Sequence, residues 1–105
     1  MSVIVQNRYF VRAGFREQAL GVRRRANHAR ANANRPVGQI LVTLDPGPDA
    51  PDFIWECAYP DLEARNEDLA WADSSAEFVE IQHQMGELLD RFERHLFEVL
   101  DDNTD

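Results

Sequence analysis

Few side chains in this chain stand at spacings that chemistry requires. Glu80-Ile81-Gln82-His83 sets a carboxylate and an imidazole three residues apart, the spacing that puts two metal ligands on one turn of helix. At 100° per residue, however, His83 turns about 140° away from Phe78. It therefore leaves the apolar face defined by Phe78, Ile81 and Met85. Nothing nearby supplies a third or fourth ligand, so no metal site is expected. His95 borders an apolar stripe and His28 lies opposite one, positions of ordinary polar residues. Cys57 has no basic neighbour and sits in an apolar run, which suits a buried thiol better than a nucleophile. Ser74 and Ser75 precede a helical pattern and read as caps. No glycine-rich loop follows a strand, so phosphate binding by that route is not expected.

Asn7 is different. It is a polar residue among Val3, Val5, Tyr9 and Val11, on a strand whose pattern says buried. A buried amide needs hydrogen-bonding partners or a ligand. Together with Arg8, Tyr9, Trp55, Tyr59 and Trp71 it could line an apolar pocket with a few polar contacts, the usual make-up of a small-molecule site. The alternative is that Asn7 bonds to neighbouring backbone and the aromatic residues are core.

The elements that would position these groups follow from periodicity. Val3 to Val11 places Val3, Val5, Tyr9 and Val11 on one side and Ile4 and Phe10 on the other. Val37 to Leu44 and Phe53 to Tyr59 also carry apolar residues on both sides. A strand with one wet face alternates cleanly, so both faces of this sheet are expected to leave water. Between the first two strands, Phe15, Ala19, Val22, Ala26, Ala29 and Ala33 recur at helical period, with Arg16, Arg23 and Arg30 as a parallel stripe. Arg35-Pro36 ends that helix near Asn34. The proline-rich Asp45 to Asp52 joins antiparallel neighbours. Asp61 caps a short helix over Leu62 to Trp71, and Ser74 with Glu77 opens a longer one as a capping box. That longer helix carries Phe78, Ile81, Met85, Leu88, Leu89, Phe92 and Leu96 on one face, leaving Leu96 to Leu100 for a last short strand. The order βαββαβ predicts an α+β, ferredoxin-like fold: a four-stranded antiparallel sheet with its helices on one face. The bare face then predicts a homodimer, two sheets packed face to face as an α/β barrel.

At 105 residues the chain is expected to be one domain over residues 1–100, followed by an acidic tail at 101–105. The net charge of −8 argues against nucleic acid or anionic membrane as partner. Its distribution is uneven. Residues 1–35 carry eight arginines against Glu17 alone, a balance of +7, whereas residues 36–105 carry three arginines against eighteen acids, a balance of −15. This reads as a basic helix beside an acidic one, or as a basic patch for an anionic ligand. No run approaches a membrane span, no export signal is expected, and the lone Cys57 leads to the expectation of a reducing cytoplasm.

The run Trp55-Glu56-Cys57-Ala58-Tyr59-Pro60-Asp61-Leu62-Glu63-Ala64-Arg65, then Trp71, then Ser74-Ser75-Ala76-Glu77-Phe78, resembles the dimeric α/β-barrel superfamily, which includes antibiotic-biosynthesis-monooxygenase-like and NIPSNAP-like families. The resemblance spans most of the chain and implies fold and dimerisation more firmly than activity. Haem-degrading members use an Asn in the first strand, a Trp before the last helix and a His on that helix. Asn7 and Trp71 stand at comparable places and become candidate catalytic residues by this resemblance. The histidine position carries Gln82 instead, with His83 one residue late, as a candidate ligand contact. Cofactor-free oxygenases of this superfamily position an ionisable polycyclic phenol for reaction with oxygen. No cofactor is expected here. Three functions remain: a monooxygenase-like enzyme or binder of a small aromatic or carboxylated compound, a non-catalytic homodimeric module, and a haem-handling protein.

Overall fold

The computed structural model describes residues 1–45 and 47–100. The acidic tail expected at 101–105 lies outside the described residues. Four strands, β1 (Val3–Val11), β2 (Gln39–Val42), β3 (Phe53–Tyr59) and β4 (Leu89–Glu98), alternate with three helices, α1 (Arg16–Asn32), α2 (Leu62–Ser74) and α3 (Ala76–Glu87). The strands form one fully antiparallel sheet in the order β2-β3-β1-β4, the ferredoxin-like arrangement. The helices cover one face, and the buried apolar side chains form one cluster between them and the sheet.

Strand alternation decides what enters that cluster. Val3, Val5, Asn7 and Tyr9 of β1 and Phe53, Trp55, Cys57 and Tyr59 of β3 point under the helices and are buried. Phe53 and Trp55, at 0 % and 2 % exposure, anchor the sheet side. Burying a side chain of that size stabilises the fold by about 2–3 kcal/mol. From above come Ala19, Val22, Ala26 and Ala29 of α1 and Phe78, Ile81 and Met85 of α3. The alanines of α1 keep that helix close to the sheet, and α1 lies alongside α3. The ends of the expected α1 stripe, Phe15 and Ala33, are exposed. Asn34, with φ +56, turns the chain out of α1 ahead of Pro36.

Three expectations need correction. The long helix stops at Glu87, and Leu89–Glu98 is strand rather than a helical continuation. Phe92 and Leu96, four apart, satisfy both a helical and an alternating pattern, and pairing of β4 along the whole of β1 selects the strand. The cap of α3 is Ser75, whose hydroxyl accepts from the Phe78 amide at 3.2 Å, while Ser74 closes α2 by donating to the Trp71 carbonyl at 3.0 Å. Asp61 caps α2 as expected, accepting from the Ala64 amide at 2.8 Å. Finally, the helix-free face is mixed rather than apolar. Gln39, Glu56, Gln6 and His95 share one register row across it, and Gln6 donates to Glu56 at 2.8 Å. Ile4, Ala58 and Phe97 lie on one side of this band, Ile54 and Leu41 on the other.

Candidate functional site

A cavity of about 380 Å³ opens between the sheet and the helices. This lies within the roughly 300–1,000 Å³ range of small-molecule sites. Val5, Asn7 and Tyr9 of β1 and Trp55 and Tyr59 of β3 form its floor. Arg23 and Arg30 of α1 and Phe78 and Met85 of α3 wall it, and the exposed Gln82, Phe92 and Arg94 stand at its rim.

One end of the cavity is built from donors. The Asn7 side-chain oxygen accepts from Arg94 Nε at 3.0 Å, and its amide nitrogen donates to the Tyr9 hydroxyl at 3.4 Å. Arg23 Nη1 donates to the same hydroxyl oxygen at 3.0 Å, and Arg23 Nη2 to Asn27 Oδ1 at 3.1 Å. With two donors occupying its lone pairs, the Tyr9 oxygen has its own proton left to give. Arg23 is 5 % exposed, and its guanidinium lies 4.8 Å from the Trp55 ring. Its Nε has no partner, and among the described residues it pairs with no carboxylate. Burial pulls its pKa below the ordinary arginine value.

The other end is an ion-pair hub. Asp68 of α2, almost fully buried, accepts from Arg30 Nη1 at 2.7 Å, from Arg35 Nε at 3.0 Å and from the Tyr59 hydroxyl. Burial alone would raise its carboxyl, but the Tyr59 bond and the two guanidinium groups outweigh it and hold the carboxyl below its usual range. Burial, reinforced by the bond to Asp68, pushes Tyr59 far above the usual tyrosine value, so it stays a protonated donor. Arg30 is also enclosed by aromatic rings, 4.5 Å from Trp55 and 5.0 Å from Phe78. Trp55 itself is fixed from the edge of the sheet: its Nε1 donates to the Val37 carbonyl at 2.9 Å. Gly38, at φ +69, lies flat against that indole, where a Cβ would come within 2.7 Å of Trp55 Cε2 and Nε1.

The sequence-derived candidates divide. Asn7, Tyr9, Trp55 and Tyr59 all line the cavity. Arg8 does not: strand alternation turns it to the helix-free face, where it donates to Gln6 at 3.1 Å. Trp71 packs 5.0 Å from Phe78, behind the lining residues. His83 is exposed at the outside of α3, 3.2 Å from Glu87, so it offers the cavity no ligand for haem. Cys57 is buried, and burial raises its thiol pKa. No cluster of metal-ligating side chains occurs among the described residues. Pattern reading left three residues out of the site. Helical period sets Arg23 and Arg30 in a stripe beside the apolar one, yet they interleave with Ala19 and Ala26 at spacings of four and three and are buried with them. Asp68 stands midway between Ala64 and Ala72 on the inner stripe of α2, and a charge on such a stripe signals a buried partner.

No family profile matches the chain, and no curated protein matches it. Solved structures do. A NIPSNAP family protein from Agrobacterium tumefaciens superposes with a TM-score of 0.77 at 19 % identity, covering 99 % of this chain and 98 % of its own. A variant of SnoaB, a cofactor-independent oxygenase from Streptomyces nogalater, superposes at 0.70 and 17 % identity, covering 99 % and 98 %. A dimeric protein of unknown function and ferredoxin-like fold from Bacteroides fragilis superposes at 0.69 and 12 % identity, covering 93 % and 96 %. The chain therefore shares the fold of these proteins.

Proposed function

We propose that this protein takes a small planar aromatic compound into the cavity between sheet and helices and acts on it as a monooxygenase-like enzyme, working as a homodimer without a bound cofactor. The cavity carries this reading. It combines aromatic walls from Trp55, Phe78 and Phe92 with a cluster of polar groups, Asn7, Tyr9 and Arg23, at one end. Such a pocket orients a flat apolar ligand by one polar edge. Of the two carboxylates in the lining, Asp73 is exposed to water, and Asp68, buried on the wall, is held by three donors and is not free to serve as a base. An ionisable ligand would thus supply its own reactive electron pair for oxygen, with the donor groups stabilising the charge that develops. The oxygenase with the same fold supports this chemistry by analogy only. The dimeric neighbour and the apolar patches of the helix-free face support pairing with a second copy.

The test is a thermal-shift screen of aromatic acids, quinols and haemin, followed by oxygen uptake with 1,4-dihydroxynaphthalene. We expect at least one planar aromatic compound to raise Tm, and Asn7→Ala to reduce that response and any uptake above the protein-free rate. If no compound raises Tm and Asn7→Ala changes nothing, the cavity is not a ligand site. If compounds bind without oxygen uptake, the protein is a binder and the oxygenase reading fails.

A further inference from the structure

The donor-rich end of the cavity has a chemical consequence beyond shape. Arg23 is buried and is paired with no carboxylate among the described residues; its Nε is unsatisfied, as is that of Arg30, so the missing carboxylate is what sets the two apart. The Tyr9 hydroxyl beside it accepts twice and retains a proton with no acceptor in the described structure. Arg30 shows what a compensated cation looks like in the same wall: seven residues further along α1, it has Asp68 at 2.7 Å. Leaving a buried guanidinium without an anion is costly, because desolvation is not repaid by a partner. The Trp55 ring at 4.8 Å offers the Arg23 charge only a partial substitute. A cationic guanidinium and a hydroxyl donor, held 3.0 Å apart and both lining the cavity, suit the two oxygens of a carboxylate.

We propose that the ligand is an aromatic carboxylate, with its carboxylate seated on Arg23 and the Tyr9 hydroxyl and its ring lying over Trp55 and Phe78. Asn7 is then a positioning residue: it donates to Tyr9 and is itself fixed by Arg94. This deepens, and rests on, the reading of the cavity as a small-molecule site.

The experiment compares 2-naphthoate with its neutral isostere naphthalene-2-carboxamide, by calorimetry on the full chain at neutral pH. We expect the carboxylate to bind about ten- to a hundredfold more tightly, the range of a charge-assisted pair. Arg23→Met should abolish that preference, so that the variant binds the two probes within a few fold of each other. The wild-type comparison stands by itself if Arg23→Met fails to fold. Equal binding of the two probes by the wild type overturns the carboxylate assignment but leaves the cavity reading intact. Binding of neither overturns both. A preference that survives Arg23→Met and disappears in Arg94→Gln would place the anion at the rim and overturn the role of Arg23.

Discussion

Arg23 and Arg30 lie seven residues apart on one helix, equally buried, and their charges meet different fates. Arg30 shares Asp68 with Arg35, whereas Arg23 relies on the Tyr9 hydroxyl, the Asn27 side chain and the Trp55 ring. Replacing Asp68 with Asn keeps the shape of the hub but strands two guanidinium groups, one of them fully buried. Breaking a buried pair from one side costs about 3–5 kcal/mol, so Asp68→Asn should lower the urea midpoint by a corresponding amount. The pH dependence has a definite sign. The folded carboxyl titrates below its unfolded value of about 3.9, so its stabilisation is complete above about pH 4 and is lost as pH falls through the lower folded value. The stability gap between wild type and Asp68→Asn should therefore narrow only in acid, below about pH 4. A gap unchanged into strong acid would mean that the charge of Asp68 is not what the hub uses.

At the level of elements, β2 is the shortest strand and holds no buried residue, yet the turn before it fixes the largest side chain of the cavity floor. Gly38 combines a left-handed φ with direct contact on the Trp55 indole. Gly38→Ala meets both penalties at once, backbone strain and overpacking, and should cost roughly 2–3 kcal/mol. It should also shift tryptophan emission, because Trp55 must move off the Val37 carbonyl. Normal stability with unaltered emission would show that the turn can reseat without disturbing the floor. The α3–β4 junction shows where sequence reading loses its grip. Leu88, Leu89, Phe92 and Leu96 fit a helical stripe continued from Phe78, and nothing local forbids it. The strand exists because the whole open edge of β1 must be paired, a demand that comes from distant residues. Strands β1 and β3, with both neighbours supplied, needed no such outside information.

The whole molecule is thin. Its extents are 49 × 35 × 17 Å and its radius of gyration is 14.6 Å, against about 13 Å for a rounded chain of this length. One layer of helix on one sheet leaves the far face open, with Leu41 and Phe97 each about two-fifths exposed. The polar row of Gln39, Glu56, Gln6 and His95 divides that face, so a second copy would meet it through apolar patches on either side of a hydrogen-bonded band. The proposed homodimer predicts a sedimentation mass of twice 12.1 kDa at micromolar concentration. Ile54→Arg, on the helix-free face and away from the cavity, should reduce it to one copy while ligand binding in the cavity persists. A single-copy mass for the wild type would overturn the dimer. None of the helices among the described residues is long and apolar enough to cross a membrane.

Alternation and helical period by themselves determined β1, β3, the stripe of α1 and the antiparallel, helix-on-sheet class, because those signals are local and agree with the final packing. They also singled out Asn7, since one amide in an otherwise apolar row is visible without coordinates. Only the tertiary structure decided which charged residues are interior. Arg23, Arg30 and Asp68 come from two helices separated by two strands, and a charge on a helical stripe is solvated or buried according to what the sheet brings opposite it.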